Sequence, residues 1–584
     1  MKKILTLFLL LGLVVSGYSQ DKRQFQVSKA IENGTFVLNG PVVYGNEIRG
    51  TYPNGTVIPG TDSYFDYVTN GQNCANMWAN GDTMIVAYFG ADMSDPTGTT
   101  SRVAYYIVSY DKGATWGTPL ALTTLPRRSA YPFLVPYIGT LGRSIGFSGR
   151  LYTPPGPGST AGGAYTDAFF GLGSITSVNN PNSNRDYFTA SIGGELMGGI
   201  AAIAGSVSDT LNFWKFDMST NTFTATAPVV VEGVDPIDVS SRWQFASTPS
   251  GSHMSAMWWM SLAGSEQDYY KSSTDGGATW SSATSFMPWG TILGGDSVET
   301  YLSMDIEYKP GTNDVYAVFP TLAPGSFLTT TGSKIVISSP ALNSGNAVVI
   351  ADRNNLGSIL NDDSINTIVD LQVGVVGVSH PTIGWNDAGT MICLFSGYQP
   401  NDTMDLFNFN DIYYSLSYNG GMTWSDPVNL TNTDDWDELY PTVAPSGNTN
   451  EFFVHYQATR GPGSQSFSDG APTYVVHQIF DIIPTSGIQN ISSEIPDGFS
   501  LKQNYPNPFN PSTSIQFNIS TSSLVSLKVY DITGREVATL VNNQKLSAGS
   551  FQYDFNASNL ASGMYFYTLT AGDFKETKKM ALIK

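Results

Sequence analysis

Short apolar runs broken by Gly, Asn and Asp turns recur along most of this chain. Each unit has an apolar run, a turn and a second apolar run, as in 131–148, 243–261, 301–320, 380–396 and 440–457. Apolar runs of about 4–8 residues bounded by turn residues predict strands rather than helices. The pattern therefore predicts an all-β fold built from repeated antiparallel strand pairs.

One position recurs at a nearly constant spacing. The first residues of the strand pairs form a column of Cys74, Tyr131, Tyr187, Trp243, Tyr301, His380 and Tyr440. They are 57, 56, 56, 58, 79 and 60 residues apart, and the long step coincides with an Asn/Asp/Ser-rich insertion around 343–370. Four strands per period is typical of a β-propeller blade. We expect seven blades over 20–484, with six possible because 187–225 is the weakest unit, and a closing strand from 25–30 or 35–38.

Three octapeptides, 109–116, 273–280 and 417–424, share the pattern Ser-x-Asp/Asn-x-Gly-x-Thr-Trp. The Asp or Asn side chain can bond the backbone of its own turn, and the glycine can adopt a positive φ. The pattern resembles the Asp-box, or BNR repeat, of sialidases and related β-propellers. We expect a structural role for the residues that carry it, which are Asp111, Gly113, Trp116, Asp275, Gly277, Trp280, Asn419, Gly421 and Trp424.

The composition changes after residue 484, where we expect a linker over 485–498 and a small immunoglobulin-like β-sandwich over 499–584. The motifs in this module are Tyr505-Pro-Asn-Pro-Phe509, Gly534-Arg535, Leu560-Ala-Ser-Gly-Met-Tyr565 and the final Lys578–Lys584. They resemble the type A C-terminal sorting domain of the type IX secretion system, which is similar to the immunoglobulin-like module of the flagellar hook-capping protein. The resemblance implies a Bacteroidetes-type bacterium, a type IX machinery partner for 499–584, and a secreted or surface-displayed product.

Residues 1–19 have the features of a secretory signal. Lys2 and Lys3 precede an apolar stretch over 4–15, and a small-x-small site follows at 17–19. No later stretch reaches the about 18 apolar residues of a membrane-spanning helix, so we expect no transmembrane segment. The sequence therefore predicts Sec export followed by passage through the outer membrane.

Charge and cysteine usage narrow the possible partners. The net charge is −20, and residues 20–493 hold 18 basic against 41 acidic groups, which argues against nucleic acid as a partner. Four scattered histidines and two cysteines form no zinc motif. Whether Cys74 and Cys393 pair is left open. The loop Asp434–Glu438 could hold calcium through carboxylate oxygens, although a solvated acidic loop is favoured and no metal site is expected.

Five residues beside the column form a catalytic hypothesis: Arg128, Arg185, Arg242, Glu299 and Tyr301. The sialidase resemblance implies arginines that grip a carboxylate bidentately and a tyrosine nucleophile paired with a glutamate. The Arg-Ile-Pro motif of that family is absent, since the corresponding stretch 57–59 reads Val-Ile-Pro. These arginines also fall in consecutive units. Enzymatic activity is therefore uncertain, and binding is favoured over it.

Aromatic side chains offer a second kind of site. Trp243, Trp258, Trp259, Trp289 and Trp436 are candidate sugar-stacking platforms, although alternating strands also bury large aromatic residues between sheets. The ligand-binding set expected from the column is Trp243, His380, Trp436 and Tyr440. We expect a propeller that binds extracellular glycan or protein. The alternative is a sialidase-like glycoside hydrolase acting on extracellular glycans.

Overall fold

The described part of the chain is all-β. The computed structural model describes residues 25–26, 56–58, 76–92, 95, 100–139, 142–152, 160–180, 188–191, 195–202, 211–229, 243–262, 265–301, 303–324, 332–356, 368–369, 377–387, 389–404, 407–434, 436–444, 451–459, 476–480, 482–484, 488–492, 495–546, 548–557 and 560–583. These residues contain strands, turns and one 3-10 turn, and no α-helix. The predicted leader over 1–19 lies outside them. None of the described helical segments is long and apolar enough to span a membrane.

Three four-stranded antiparallel sheets follow two short N-terminal strands, β1 (Phe25–Gln26) and β2 (Thr56–Val57). Sheet 1 contains β3 (Met77–Asn80), β4 (Thr83–Gly90), β5 (Val103–Ser109) and β6 (Leu120–Ala121). Sheet 2 contains β7 (Arg128–Gly139), β8 (Gly142–Tyr152), β9 (Thr160–Asp167) and β10 (Ile175–Asn179). Sheet 3 contains β11 (Phe188–Ser191), β12 (Leu196–Ala202), β13 (Leu211–Asp217) and β14 (Thr222–Val229), and it covers the weakest predicted unit.

Two sheets of different size come next in the chain. Sheet 4 contains β15 (Trp243–Ser247), β16 (Met254–Leu262) and β17 (Ser265–Ser273), and a single bridge between Tyr270 and Thr284 takes the fourth position. Sheet 5 contains β18 (Thr291–Leu293), β19 (Asp296–Thr300), β20 (Asp305–Tyr308), β21 (Val315–Leu322), β22 (Lys334–Ser338) and β23 (Val348–Ala351). Both β19 and β20 pair with β21, so together they occupy the first-strand position.

Two further sheets follow the short strand β24 (Ile368–Val369). Sheet 6 contains β25 (Val378–Trp385), β26 (Met391–Met404), β27 (Phe407–Ser417) and β28 (Val428–Asn429). Sheet 7 contains β29 (Asp437–Val443), β30 (Glu451–Thr459), β31 (Val476–Phe480) and β32 (Ile482–Pro484), and β2 is its outermost strand.

The N-terminal stretch contributes to the last sheet through residues other than those expected. Thr56–Val57 pairs with β31, whereas Phe25–Gln26 pairs with β24 in the inserted segment. Ile58, which follows β2, is fully buried in a cluster that contains Met77 of sheet 1 and Phe453 of sheet 7. Burial of this side chain between two sheets provides a physical reason for the position of β2.

The strands β4 of sheet 1 and β21 of sheet 5 are buried on both of their faces. All eight residues of β21 are buried, as are seven of the eight residues of β4. A strand covered on both faces needs a continuous apolar run, so strict alternation is absent there. One apolar cluster accordingly runs through sheets 1, 2, 5, 6 and 7.

Three hairpins, 109–116, 273–280 and 417–424, connect third and fourth strands and are held by closely similar hydrogen bonds, except that in the third Asn419 Nδ2 donates to Thr423 Oγ1. In 273–280, Ser273 Oγ donates to Asp275 Oδ1 at 2.8 Å, and Gly277 N donates to Ser273 Oγ at 2.8 Å. Thr279 donates to Asp275 from its backbone N at 2.9 Å and from its hydroxyl at 2.6 Å. We call the end of each sheet where the third strand meets the fourth the lower end. The opposite end, where the first and third strands begin, is the upper end.

The C-terminal module is a sandwich of two sheets over one apolar core. Sheet A contains β33 (Ile488–Ser492), β34 (Ser500–Leu501), β35 (Ser512–Ile519) and β38 (Gly549–Asn556). Sheet B contains β36 (Ser523–Tyr530), β37 (Glu536–Leu546), β39 (Gly563–Ala571) and β40 (Phe574–Leu582). Since β33 pairs with β38, sheet A extends into the segment expected to be a linker.

Candidate functional site

Three first strands bulge at the aligned column. Tyr131, His380 and Tyr440 have φ of 53°, 51° and 56°, and each precedes a proline. The ladder with the second strand shifts register at each of these positions. Positive φ is uncommon for residues with a side chain, and a bulge bends the strand where it occurs. The column thus marks a shared backbone feature of sheets 2, 6 and 7.

Two of the expected ligand-binding residues meet at this bulge. The rings of His380 and Tyr440 lie 4.7 Å apart at 78°, and Ser379 Oγ lies 3.0 Å from His380 Nδ1. Both rings are buried. The structure therefore brings these two residues together across sheets 6 and 7, but inside the protein rather than at its surface.

The two tryptophans of the expected ligand-binding set are also buried. Trp243 pairs with Trp258 across β15 and β16 in the core of sheet 4, and Trp436 lies just before β29. Burial leaves neither indole a face open to a ligand. Both side chains contribute to packing, as large aromatic residues between sheets do.

The expected catalytic set is divided among sheets. Arg128 begins β7 of sheet 2 and is half-buried, whereas Glu299 and Tyr301 lie two residues apart in sheet 5 and are buried. Tyr301 packs edge-on against Trp259, with ring centroids 6.0 Å apart. Arg185 and Arg242 lie outside the described residues. The structure brings Glu299 and Tyr301 onto one segment and places Arg128 three sheets earlier in the chain.

A buried carboxyl pair joins sheets 6 and 7. Asp411 and Glu438 are both buried, and the backbone N of Thr433 donates to Asp411 Oδ1 at 3.3 Å. Thr433 Oγ1 donates to Glu438 Oε1 at 2.5 Å, and Asn429 Nδ2 donates to Asp411 Oδ2 at 2.5 Å. Among the described residues no N–H or O–H donor reaches Glu438 Oε2. Sequence reasoning noted Glu438 but missed Asp411, because the two residues meet only when the sheets pack.

Burial determines the protonation of this pair. It raises the pKa of Asp411, and burial together with the nearby Asp411 charge raises the pKa of Glu438 well above its usual value. In glycosidases the two catalytic carboxyls are about 5–9.5 Å apart, with substrate between them. Asp411 and Glu438 are both buried, with no space for a substrate between them, so we interpret the pair as structural.

Two carboxyls of the acidic loop that suggested calcium, those of Asp437 and Glu438, are buried. Asp437 Oδ1 accepts hydrogen bonds from the backbone N and the side-chain amide of Asn410, at 2.6 and 2.7 Å. Glu438 accepts a hydrogen bond from Thr433, as described above. In the described part of the chain no group of three or more His, Cys, Asp or Glu residues is placed to hold a metal. Cys393 is buried with a free thiol, and Cys74 lies outside the described residues.

Trp289 is the one tryptophan of the eleven that is exposed, with 54% of its surface accessible. It lies at the upper end, between the Thr284 bridge of sheet 4 and β18 of sheet 5. Thr291 N donates to Pro288 O at 3.2 Å, and Gly290 between them has φ of 81°. This is the geometry of a type II turn, with Trp289 at its second position.

The chain leading into this turn is held by buried groups of sheet 4. Asp268 accepts hydrogen bonds from the backbone N of Phe286 at 2.7 Å and of Met287 at 3.2 Å. Gln267 Oε1 accepts one from the backbone N of Trp289 at 3.2 Å. Burial raises the pKa of Asp268 to about 6, so its carboxylate form predominates at neutral pH. The exposed indole therefore sits on a fixed backbone.

A charged cluster holds the hairpin β18–β19, which follows Trp289 in the chain, against the other strands of sheet 5. Lys334 Nζ lies 2.9 Å from Asp296 Oδ2 and 3.7 Å from Asp352 Oδ2, and it is 2% exposed. Arg353 Nη2 contacts Asp296 Oδ1 at 3.2 Å and is 46% exposed. The positive charge of Lys334 lowers the pKa of Asp296. We call Trp289 with this clamped hairpin the upper platform.

Residues 503–584 match the family model described as a secretion system C-terminal sorting domain. The prediction of a type IX sorting domain, the export signal of Bacteroidetes, is thereby confirmed. The chain is exported to the cell surface or secreted, and this module interacts with the secretion machinery. No curated protein matches the chain.

Several solved structures resemble the chain weakly. The catalytic domain of a Coprinopsis cinerea GH62 α-L-arabinofuranosidase is 10% identical and covers 47% of this chain and 90% of its own, with a TM-score of 0.28. The polysaccharide lyase Uly1 is 10% identical and covers 86% and 94%, with a TM-score of 0.27. A thermostable family-43 glycoside hydrolase is 10% identical and covers 51% and 96%, with a TM-score of 0.30. Likeness at this level assigns no activity to the chain.

Proposed function

We propose that residues 20–484 form a seven-bladed β-propeller that binds extracellular glycan at the upper platform. Seven sheets succeed one another, and the first strands of sheets 3 to 7 contact their neighbours in order. The cluster around Ile58 links sheet 7 to sheet 1, which supports a closed ring. Closure protects the edges that an open sheet exposes. The sorting module after residue 499 then delivers this propeller to the outside of the cell.

The observation that carries the binding proposal is the exposure of Trp289. An indole on a solvent-facing turn offers a flat apolar surface to the C–H face of a sugar ring, and neighbouring polar groups can bond the sugar hydroxyls. The turn is held by Asp268 and Gln267, so little conformational freedom is lost on binding. Exposed Ile292 of β18 enlarges the apolar surface beside it.

Affinity gel electrophoresis with a panel of neutral and acidic polysaccharides tests this proposal. In a gel containing a polysaccharide that the wild type binds, Trp289→Ala should raise the dissociation constant about tenfold. This corresponds to a loss of about 1.4 kcal/mol of binding free energy, as expected for an aromatic anchor. Met422→Ala is the matched control, because Met422 is similarly exposed (47%) but lies in an Asp-box hairpin at the lower end. Equal retardation of both variants and the wild type would place the ligand elsewhere. Retardation by no polysaccharide would contradict glycan binding itself.

The alternative is a sialidase-like glycoside hydrolase. The close spacing of Glu299 and Tyr301 near the upper end of sheet 5 favours it, because a glutamate paired with a tyrosine is the arrangement that such chemistry needs. Incubating the mature chain with fluorogenic sialosides and the same polysaccharides distinguishes the two proposals. Release of sialic acid that is lost in Tyr301→Phe and kept in Trp289→Ala would favour hydrolysis over binding alone.

A further inference from the structure

The two outer faces of the C-terminal sandwich differ in chemistry. On sheet A the outward residues of β35 are polar, namely Ser512, Ser514, Gln516 and Asn518. On sheet B the outward residues of β39 include Met564, which is 41% exposed, and Phe566, which is 38% exposed. Exposed apolar side chains that lie close together on a sheet mark a candidate interaction surface.

The apolar residues of sheet B are adjacent, not scattered. Phe566 pairs with Tyr530 of β36 on one side and with Lys579 of β40 on the other, and Met564 pairs with Ala581. These side chains therefore lie in two neighbouring rows on the outer face, because pairs across a strand share a face. We call this patch the sheet B face.

Lysines border the sheet B face. Lys575 and Lys579 are exposed, and neither ammonium has an ion-pair partner in the part of the chain that the structure describes. Lys528 of β36 is balanced by Glu536, with Nζ and Oε2 3.0 Å apart. The border is therefore basic, and it complements a partner surface rimmed with carboxylates.

The edge of sheet B is a poorer docking site than its face. Phe509 N donates to Ala581 O at 3.0 Å, and Ile583 N donates to Phe509 O at 3.0 Å, so the end of β40 already has a neighbour. The rest of β40 alternates Lys, Glu and Thr, and charged edge strands discourage strand addition. A partner that uses this sheet therefore has the face open to it.

We propose that the sheet B face docks onto a protein subunit of the secretion apparatus, through an apolar pocket bordered by acidic groups. The match of 503–584 to a sorting domain names the machinery as the partner, and the patch lies wholly within the matched residues. The central anchor is Phe566, because it lies between Tyr530 and Lys579 and leaves part of its ring uncovered. Docking buries this ring and brings Lys579 against the acidic rim.

Secretion of the full chain in its own bacterium tests the proposal. Phe566→Glu and Lys579→Glu should each lower the secreted amount, Phe566→Glu about tenfold, which is the effect expected for one central anchor. The matched control is Gln516→Glu, which adds the same single negative charge as Phe566→Glu, but among the polar outward residues of β35 in sheet A. Wild-type secretion of both sheet B variants would overturn the proposal, and so would equal loss in the control. The unfolding temperature of each purified chain distinguishes misfolding from lost docking. If Phe566→Glu does not fold, the secretion of Lys579→Glu alone decides whether the proposal holds.

Photo-crosslinking identifies the occupant. With p-benzoylphenylalanine at position 566 of the full chain, mass spectrometry of the adduct should identify an outer-membrane component of the export system. The same probe at position 516 should not give this adduct. A crosslink only to the acidic propeller of the same chain, to a second copy or to lipid would contradict the proposal.

Discussion

Replacing Gly277 by alanine tests whether the tip of the 273–280 hairpin holds one sheet against the next. Gly277 has φ of 84°, and a Cβ built on it would lie 2.8 Å from Phe213 Cδ1 of sheet 3 and closer still to Cε1. Phe213 cannot move aside easily, because its ring stacks on Phe245 at 5.8 Å and meets Trp280 edge-on at 5.7 Å. The substitution therefore forces a shift in the packing between sheets 3 and 4.

The neighbouring Gly276 provides the matched control. It also has a positive φ, of 71°, but its Cβ would meet only Gly251 O at an ordinary 3.7 Å. Alanine at either position adds left-handed strain of about 1–2 kcal/mol. Overpacking a filled site adds about 1–3 kcal/mol, and only Gly277→Ala incurs it. The free energy of unfolding should therefore fall by about 2–5 kcal/mol for Gly277→Ala and by about 1–2 kcal/mol for Gly276→Ala.

Urea denaturation of the mature chain, followed by tryptophan fluorescence, measures both values. Repeating Gly277→Ala in a Phe213→Ala background isolates the contact, since the excess loss should disappear once the ring is gone. Equal losses for the two glycines in the wild-type background would refute the packing argument. So would an excess that survives the removal of Phe213.

Three further predictions concern the contacts between sheets. Because the pKa of Glu438 is raised, the folded state holds a proton that the unfolded state has released, and stability falls as the pH rises above about 4.3. In Glu438→Gln the free energy of unfolding, measured by urea denaturation from pH 4 to 8, should fall less steeply with rising pH. An unchanged pH dependence would contradict this prediction. Lys334→Met removes the buried ammonium that lies between Asp296 and buried Asp352, and it should destabilise by about 3–5 kcal/mol. Arg353→Met, at the exposed end of the same cluster, should change stability by about 0–1 kcal/mol. Similar values for both would contradict the clamp. Ile58→Ala should lower the free energy of unfolding by about 2–5 kcal/mol, and a negligible loss would argue against the link between sheets 7 and 1.

The strands and turns of this protein could be predicted from the local pattern of apolar and turn-forming residues. Alternating apolar runs with Gly and Asn turns predict an all-β chain, and the sorting module is recognisable from its own motifs. The three octapeptide hairpins are equally local, because each hydrogen bond within 273–280 joins residues at most four positions apart. Such features need only neighbouring residues, so sequence alone is enough to predict them.

The candidate site depended on contacts that no local pattern contains. Trp243, Trp289 and Trp436 all occur in apolar, turn-rich surroundings, and only the packing of sheets decides that Trp289 is the exposed one. Likewise Asp411 and Glu438 become buried neighbours only where sheet 6 meets sheet 7. The spacing of the column predicted how many sheets to expect, because the strands within one repeat unit pair with each other. Tertiary structure decided which side chains are covered, because burial depends on the neighbouring sheet and not on the residue.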